Sequence, residues 1–206
     1  GGCGLVTSLH ATDLAEIRLG QSVAVLGVGP VGLSAVAFAA LSGAGEIIAV
    51  GDPEDRRAFA ERMGATATLG LDLPTEDRAA EVRRMTGGRG VDVVIEASGA
   101  PAAVTQALDL VRDGGRVVVV GQYTDGGDVP LNPHRQINRK HVEIRGCWGS
   151  DYSHFHRAVE LVARFGDRVP WGDLAGRIFP LDEAGAALAA VERQQVVKAV
   201  IAARPA

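Results

Sequence analysis

A short apolar run, Val23-Ala24-Val25-Leu26, opens directly onto Gly27-Val28-Gly29-Pro30-Val31-Gly32, and this junction constrains the chain more than any other stretch. Four apolar residues bounded by turn formers read as a parallel strand buried on both faces. The three glycines have G-x-G-x-x-G spacing. An apolar helical stretch, Val31 to Leu41, follows and is stopped by Gly43. A second apolar run, Ile47 to Val50, ends against Gly51-Asp52. Glycine makes up 27 of 206 residues, so the spacing alone could arise by chance. The flanking strand, helix and second strand are what separate a dinucleotide fingerprint from a bare packing turn. Each glycine has a distinct expected task. Gly27 allows the tight exit from the strand, Gly29 lets a pyrophosphate approach the backbone, and Gly32 lets the helix pack against the sheet. The helix N-terminus, at Pro30 and Val31, offers unpaired N–H groups and a partial positive charge to phosphates.

Composition narrows the remaining classes. A chain of this length can bury roughly 70% of its unfolded surface, enough for a real core. The formal net charge of −4 gives no reason to expect nucleic acid or an anionic membrane as partner. No apolar run approaches the ~18 residues of a membrane span, and the Gly-Gly-Cys-Gly start lacks the basic and apolar regions of a signal peptide. Two cysteines, Cys3 and Cys147, imply no disulfide framework, so a reducing cytoplasm is the expected location. The chain does not begin with Met and starts close to its first strand, so an N-terminal portion is expected to be missing.

Along the chain the pattern alternates. A helix is expected to run to about Ala15, then from Pro53 to about Met63, with Gly64 as its stop. Thr66–Leu69 reads as a third strand, Thr75–Met85 as a polar helix, and Val91–Ile95 as a fourth strand leaving through Glu96-Ala97-Ser98-Gly99. Pro101–Val111 reads as a helix with Pro at its first position. Gly115–Gly121 is the fifth strand and Val142–Gly146 the sixth; Tyr123 to Asn132 is a long loop. Ser150-Asp151 caps a helix through Phe165, Gly166 to Pro180 is irregular, Asp182–Val191 is an Ala-rich helix, and Lys198–Ile201 is a last strand. Alternating strands and helices give the α/β class: a doubly wound, six-stranded parallel sheet with helices on both faces. Ligands of such sheets sit at the carboxyl ends of the strands, which makes Ser98, Gly99, Gly121 and Gln122 candidate contacts. His10, His154 and His156 read as packed or exposed histidines, because positions two apart on a helix face different ways. Cys147 reads as a buried thiol, and Trp148 as a pocket wall or a core residue.

The segment Gly2-Cys3-Gly4-Leu5-Val6-Thr7, then a helix, then Gly20-Gln21-Ser22-Val23-Ala24-Val25-Leu26 and the glycine turn, resembles the zinc-dependent medium-chain alcohol dehydrogenases. So does Thr86-Gly87-Gly88-Arg89-Gly90-Val91-Asp92-Val93-Val94-Ile95-Glu96-Ala97-Ser98-Gly99. The resemblance runs over essentially the whole chain. It implies a Rossmann-type nucleotide-binding domain over residues 1–148 and, over 149–206, a C-terminal segment that returns to a mostly absent catalytic domain. It implies that Cys3 is one of three protein ligands of a catalytic zinc, with a Cys and a His elsewhere as the others. Thr7 would lie against the nicotinamide, Arg56 near the adenosine ribose, Gly121 and Gln122 on the carboxamide, and Lys198 on the pyrophosphate. The family's ribose-binding acid aligns with Gly51, one place before Asp52. Asp52 would repel a 2′-phosphate, so NAD, held through Asp52, is the expected cofactor. NADP is the alternative, with Arg56 or Arg57 on the 2′-phosphate. The implied substrate is a small alcohol, ketone or aldehyde, and the implied assembly a homo-oligomer, dimer or tetramer. A zinc-free NADPH-dependent quinone or enone reductase and a non-catalytic dinucleotide-binding module are the competing readings.

Overall fold

The computed structural model describes residues 2–203. Helix α1 (Gly2–Ala15) leads to strand β1 (Ser22–Leu26), helix α2 (Pro30–Leu41), β2 (Glu46–Val50), α3 (Glu54–Arg62), β3 (Ala67–Leu69) and α4 (Thr75–Met85). Then come β4 (Val91–Glu96), α5 (Pro101–Leu110), β5 (Val111–Val119) and β6 (Glu143–Gly146). Helix α6 (Tyr152–Arg164), β7 (Arg177–Pro180), α7 (Ala184–Glu192) and β8 (Ala199–Ala202) complete the chain. The first six strands form one parallel sheet in the order β3-β2-β1-β4-β5-β6. The order reverses between β1 and β4, and the crevice outside their carboxyl ends is where sheets of this topology bind ligands.

Both faces of β1, β2 and β4 are dry, which explains their unbroken apolar runs. Ala24, Leu26, Ile48, Val50, Val94 and Val117 face a cluster built with Ala79 and Val82 of α4 and Ala107, Leu108 and Leu110 of α5. Val23, Val25, Ile47, Val93 and Ile95 are equally buried on the other face, where α1 and α2 pack. Helix α2 is buried from Gly32 through Ala39, so its apolar character all round is that of a core helix. Helix α6 starts as expected: Asp151 Oδ1 accepts from Ser153 N (2.8 Å) and His154 N (3.2 Å), an N-cap on the first turn.

Several local expectations are corrected. Helix α1 begins at Gly2, so Cys3 lies within it rather than in a lead-in segment. Strand β5 starts at Val111 and reaches its regular pairing with β4 through an irregularity between Val91 and Val93, so α5 ends one residue sooner than expected. The stretch from Gly166 to Pro180 is not irregular throughout: Trp171–Ala175 is a 3-10 turn, and Arg177–Pro180 is β7, paired in parallel with β8. The chain divides into two compact units, Gly1–Val159 and Glu160–Ala206, with the boundary inside α6. The first contains the six-stranded sheet. The second contains the β7–β8 pair and a small core of Phe179, Ala187 and Ala190.

Candidate dinucleotide site

The glycine turn leaves β1 at the switch point. Gly27 has φ 107° and donates its N–H to Val50 O (2.7 Å), tying the turn to the end of β2. A Cβ at Gly27 would lie 2.9 Å from the Ala97 carbonyl and from Ser98 Cα, so the turn after β4 rests directly on it. Gly29 is the N-cap of α2, with φ −81° and no side chain bonded to the helix end. A Cβ built there meets nothing within 4 Å. Leu33 N closes the first α2 bond to Gly29 O at 2.9 Å, so the N–H groups before it are left for an external partner. Gly32 is the packing glycine: its Cβ would lie 1.8 Å from Gly27 O and 3.6 Å from Val25 Cγ1. The three glycines thus take a turn, an open face and a close contact in that order, and Pro30 and Val31 form the half-buried first turn between them.

Helix α1 delivers Cys3 and Thr7 to the same neighbourhood. A Cβ on Gly4 would come 3.1 Å from Pro30 Cβ, so the amino end of α1 crosses the amino end of α2. Cys3 and Thr7 are i and i+4 and share a helix face; Cys3 is exposed and Thr7 half-buried. An accessible thiol suits a zinc thiolate. It is one donor of the several such a site needs, and among the described residues no group of three His, Cys, Asp or Glu could hold a metal ion.

At the end of β2 the structure redirects the ribose expectation. Gly51 faces the glycine turn: a Cβ there would lie 2.8 Å from Val28 Cγ2 and 3.1 Å from Val28 N. Asp52, the next residue, turns away. Its Oδ1 pairs with Arg57, whose guanidinium also donates to Gly51 O (3.2 Å), and its Oδ2 accepts from Leu71 N at 2.9 Å. Both carboxylate oxygens are committed on the β3 side of β2. Gly51 and Asp52 lie beyond the end of β2, so the direction of Asp52 is set by its bonds to Arg57 and Leu71 N. Asp52 is thus tied to Arg57 and the Leu71 backbone, and Gly51 is the residue that faces the glycine turn. Arg56 is half-buried on the first turn of α3.

The turns after β4 and β5 meet next to the glycine turn. Ser98 is exposed and Gly99 half-buried with φ 76°. A Cβ on Gly121 would lie 2.4 Å from Gly99 N and 2.8 Å from Glu96 Oε2, so the two turns touch. Gly121 and Gln122 are half-buried. Tyr123 and Trp148 stack face to face at 6.1 Å, exposed by 79% and 75%, so Trp148 is a surface aromatic and not a core residue. Cys147 is buried, and burial pushes its thiol up to about 11. His10 Nδ1 lies 2.8 Å from Gly149 O, and its ring is 4.4 Å from that of His154, which is held by Asp151 (2.9 Å). Lys198 belongs to the second unit, half-buried just before β8. A cavity of about 990 Å³ lined by Arg83, Arg89, Arg112, Arg135 and Lys140 lies at the amino ends of β4 and β5, away from the glycine turn.

Two features were not anticipated from the sequence: the Arg57 clamp on Asp52 and the buried carboxylate of Glu96. An acid closing an otherwise apolar strand, Val-Asp-Val-Val-Ile-Glu, was the available signal for the second.

The profile of the zinc-binding dehydrogenase family matches residues 30–164. The chain is 38% identical over 202 residues to 5-exo-hydroxycamphor dehydrogenase of Pseudomonas putida, covering 97% of this chain and 56% of that protein. It is 41% identical over 180 residues to the NADP-dependent isopropanol dehydrogenase of Thermoanaerobacter brockii, covering 85% and 49%. Among solved structures, an alcohol dehydrogenase from Thermotoga maritima superposes with a TM-score of 0.90 at 31% identity, covering 97% of this chain and 55% of that one. The chain therefore spans about half the length of the relatives it matches.

Proposed function

Because the chain belongs to the zinc-binding dehydrogenase family, we propose that it is the dinucleotide-binding part of a zinc-dependent alcohol dehydrogenase. The enzyme moves hydride between a small alcohol or carbonyl compound and NAD(P), with NADP(H) favoured. The observation that carries this reading is the open space over Gly29 at a helix end with no side-chain cap. A pyrophosphate there accepts from the first-turn N–H groups of α2 and lies in the helix dipole. Gly51 presents no acid to a ribose 2′-substituent, and Asp52 is neutralised by Arg57. That removes the repulsion that would exclude a 2′-phosphate, with Arg56 on the first turn of α3 as a nearby cation.

Cys3 would hold zinc as a thiolate together with donors beyond the described residues, and Thr7, on the same face of α1, would border the nicotinamide. Zinc supplies Lewis-acid polarisation of the substrate oxygen when bound. The chain's own residues bind and orient. The glycine turn anchors the phosphates, and the Gly121–Gln122 backbone positions the nicotinamide end. The binding energy of the remote adenosine end thus holds the reactive end in place. A homo-oligomer is proposed as the assembly.

The test is zinc content and NADPH-linked turnover on a panel of secondary alcohols, measured for the protein that contains this chain and for its Cys3→Ala variant. Loss of zinc and of at least ~10²-fold in turnover is expected, since catalytic metal ligands act on the chemical step. Unchanged zinc content and turnover would overturn the role of Cys3. A zinc-free reductase would show NADPH turnover on enones with no metal in either form.

A further inference from the structure

Glu96 is the last residue of β4 and is completely buried. In register it stands between Leu26, the last residue of β1, and Val119 of β5, so it occupies the middle of the crevice floor. Its backbone carbonyl accepts from both Val120 N and Gly121 N at 2.9 Å and so fixes where β5 turns away. Its side chain does the same for the turn after β4: Oε1 accepts from Ser98 N (2.8 Å), Ser98 Oγ (2.7 Å) and Gly99 N (3.0 Å). Oε2 has no hydrogen-bond partner among the described residues and lies 2.8 Å from where a Cβ on Gly121 would stand. The turn after β4 also rests on Gly27. One carboxylate therefore holds the Ser98–Gly99 turn against the Gly121 turn, while that same Ser98 segment sits on the glycine turn.

This arrangement is costly unless it has a use. A buried polar group needs partners, and a carboxylate more so. An apolar residue would complete the strand with no such demand. The three donors on Oε1 are backbone and hydroxyl groups of a turn at the surface, which water could satisfy if the turn were loose. Holding them on a buried acceptor fixes the turn before any ligand arrives.

We propose that Glu96 is a positioning residue for the nicotinamide end of the cofactor. It acts through the Ser98–Gly99 and Gly121–Gln122 turns and does not touch the ligand itself. The inference rests on the dinucleotide reading above. It predicts a division that general destabilisation would not produce. The adenosine and pyrophosphate bind at the glycine turn and the end of β2, so a fragment lacking nicotinamide feels the loss of Glu96 only through the Ala97–Ser98 contact on Gly27 and does not use the Gly121 turn. The complete dinucleotide does.

The experiment is calorimetric titration of the 206-residue chain with NADPH, NADH, ADP-ribose and 2′-phospho-ADP-ribose. It is run on wild type, Glu96→Leu, Glu96→Gln and Gly121→Ala, with thermal melts of each. Leucine keeps the volume and leaves three donors unmatched. Glutamine keeps an acceptor in the place of Oε1. Gly121→Ala pushes the two turns apart from the other side and keeps the proposal testable if the leucine variant does not fold. The expected result for Glu96→Leu and Gly121→Ala is a loss of at least ~10-fold in affinity for the dinucleotide, with less than ~3-fold for the matching fragment. Glu96→Gln is expected within ~3-fold of wild type for both. Equal losses for dinucleotide and fragment, or no loss in folded Glu96→Leu and Gly121→Ala, would overturn the positioning role. Failure of wild type to bind any of the four would overturn the dinucleotide reading instead.

Discussion

Replacing Gly29 with alanine separates the ligand-facing role of the glycine turn from its role in packing. The backbone at Gly29 has φ −81°, which any residue adopts, and a methyl group there meets nothing within 4 Å. The folded state should lose only the preference of a helix N-cap for glycine over alanine, about 0.5–1 kcal/mol. For a chain of this size that is a drop of about 1–4 °C in Tm. The same methyl stands in the space a pyrophosphate must enter to reach the α2 N–H groups. Dinucleotide affinity should fall at least ~10-fold, about 1.4 kcal/mol or more. Gly32→Ala is the contrasting control. Its Cβ would lie 1.8 Å from Gly27 O, so backbone must move by more than an ångström before the contact is tolerable. Overpacking of that kind costs roughly 1–3 kcal/mol or more in stability. Melting curves and NADPH titrations of the two variants should therefore diverge: Gly29→Ala stable and weak-binding, Gly32→Ala unstable. A Gly29→Ala variant that binds as wild type would refute the assignment of the open face to phosphate. One that loses Tm as Gly32→Ala does would refute the reading of Gly29 as unpacked.

Further outcomes follow from other parts of the chain. Asp52→Asn should leave NADH and NADPH affinities within ~3-fold of wild type, because its carboxylate is spent on Arg57 and Leu71 N; a selective loss of NADH binding would restore Asp52 as a ribose ligand. Under native conditions a maleimide should modify exposed Cys3 rapidly and buried Cys147 slowly, since burial holds that thiol near 11 and thiolate is the reactive form; peptide mapping after timed quenching gives the order. Asp151, lowered to about 2 by the Ser153 hydroxyl and the His154 N–H, should titrate near that value by NMR. Its folded pKa lies below the unfolded one, so its cap on α6 is fully present above pH ~4 and is lost as pH falls towards 2; the Asp151→Ala variant should show no such acid-dependent component. Phe179→Ala should cost about 3–5 kcal/mol in the second unit, whose core it anchors at 1% exposure, and should be read as protease sensitivity beyond Glu160.

What the sequence disclosed and what it hid divide by range. The strands β1, β2 and β4 and the helix α2 were legible because burial on both faces writes itself as continuous apolar runs, and the glycine spacing falls between them. The doubly wound, six-stranded parallel sheet followed from the alternation of strands and helices; the strand order came from the pairing. The direction of Asp52 did not, because it is decided by Leu71, which lies beyond β3, and by Arg57 on the next helix. Gly51 was visible as a departure from the expected acid, but that it faces Val28 depends on where β2 ends. Strand β7 was hidden because Arg-Ile-Phe-Pro is short, ends in proline and is defined by pairing with β8, more than 20 residues later. Glu96 read as the exit of a strand. Its role appears only when the turns after β4 and β5 are brought together.

The central claim is that the glycine turn and the end of β2 bind a nicotinamide dinucleotide, and calorimetric titration of the chain with NADPH and NADH tests it most directly. Saturable binding with NADPH tighter than NADH is predicted, because Gly51 offers no acid and Asp52 is already paired. Binding of neither would contradict the claim itself, and a clear preference for NADH would contradict the account of Gly51 and Asp52.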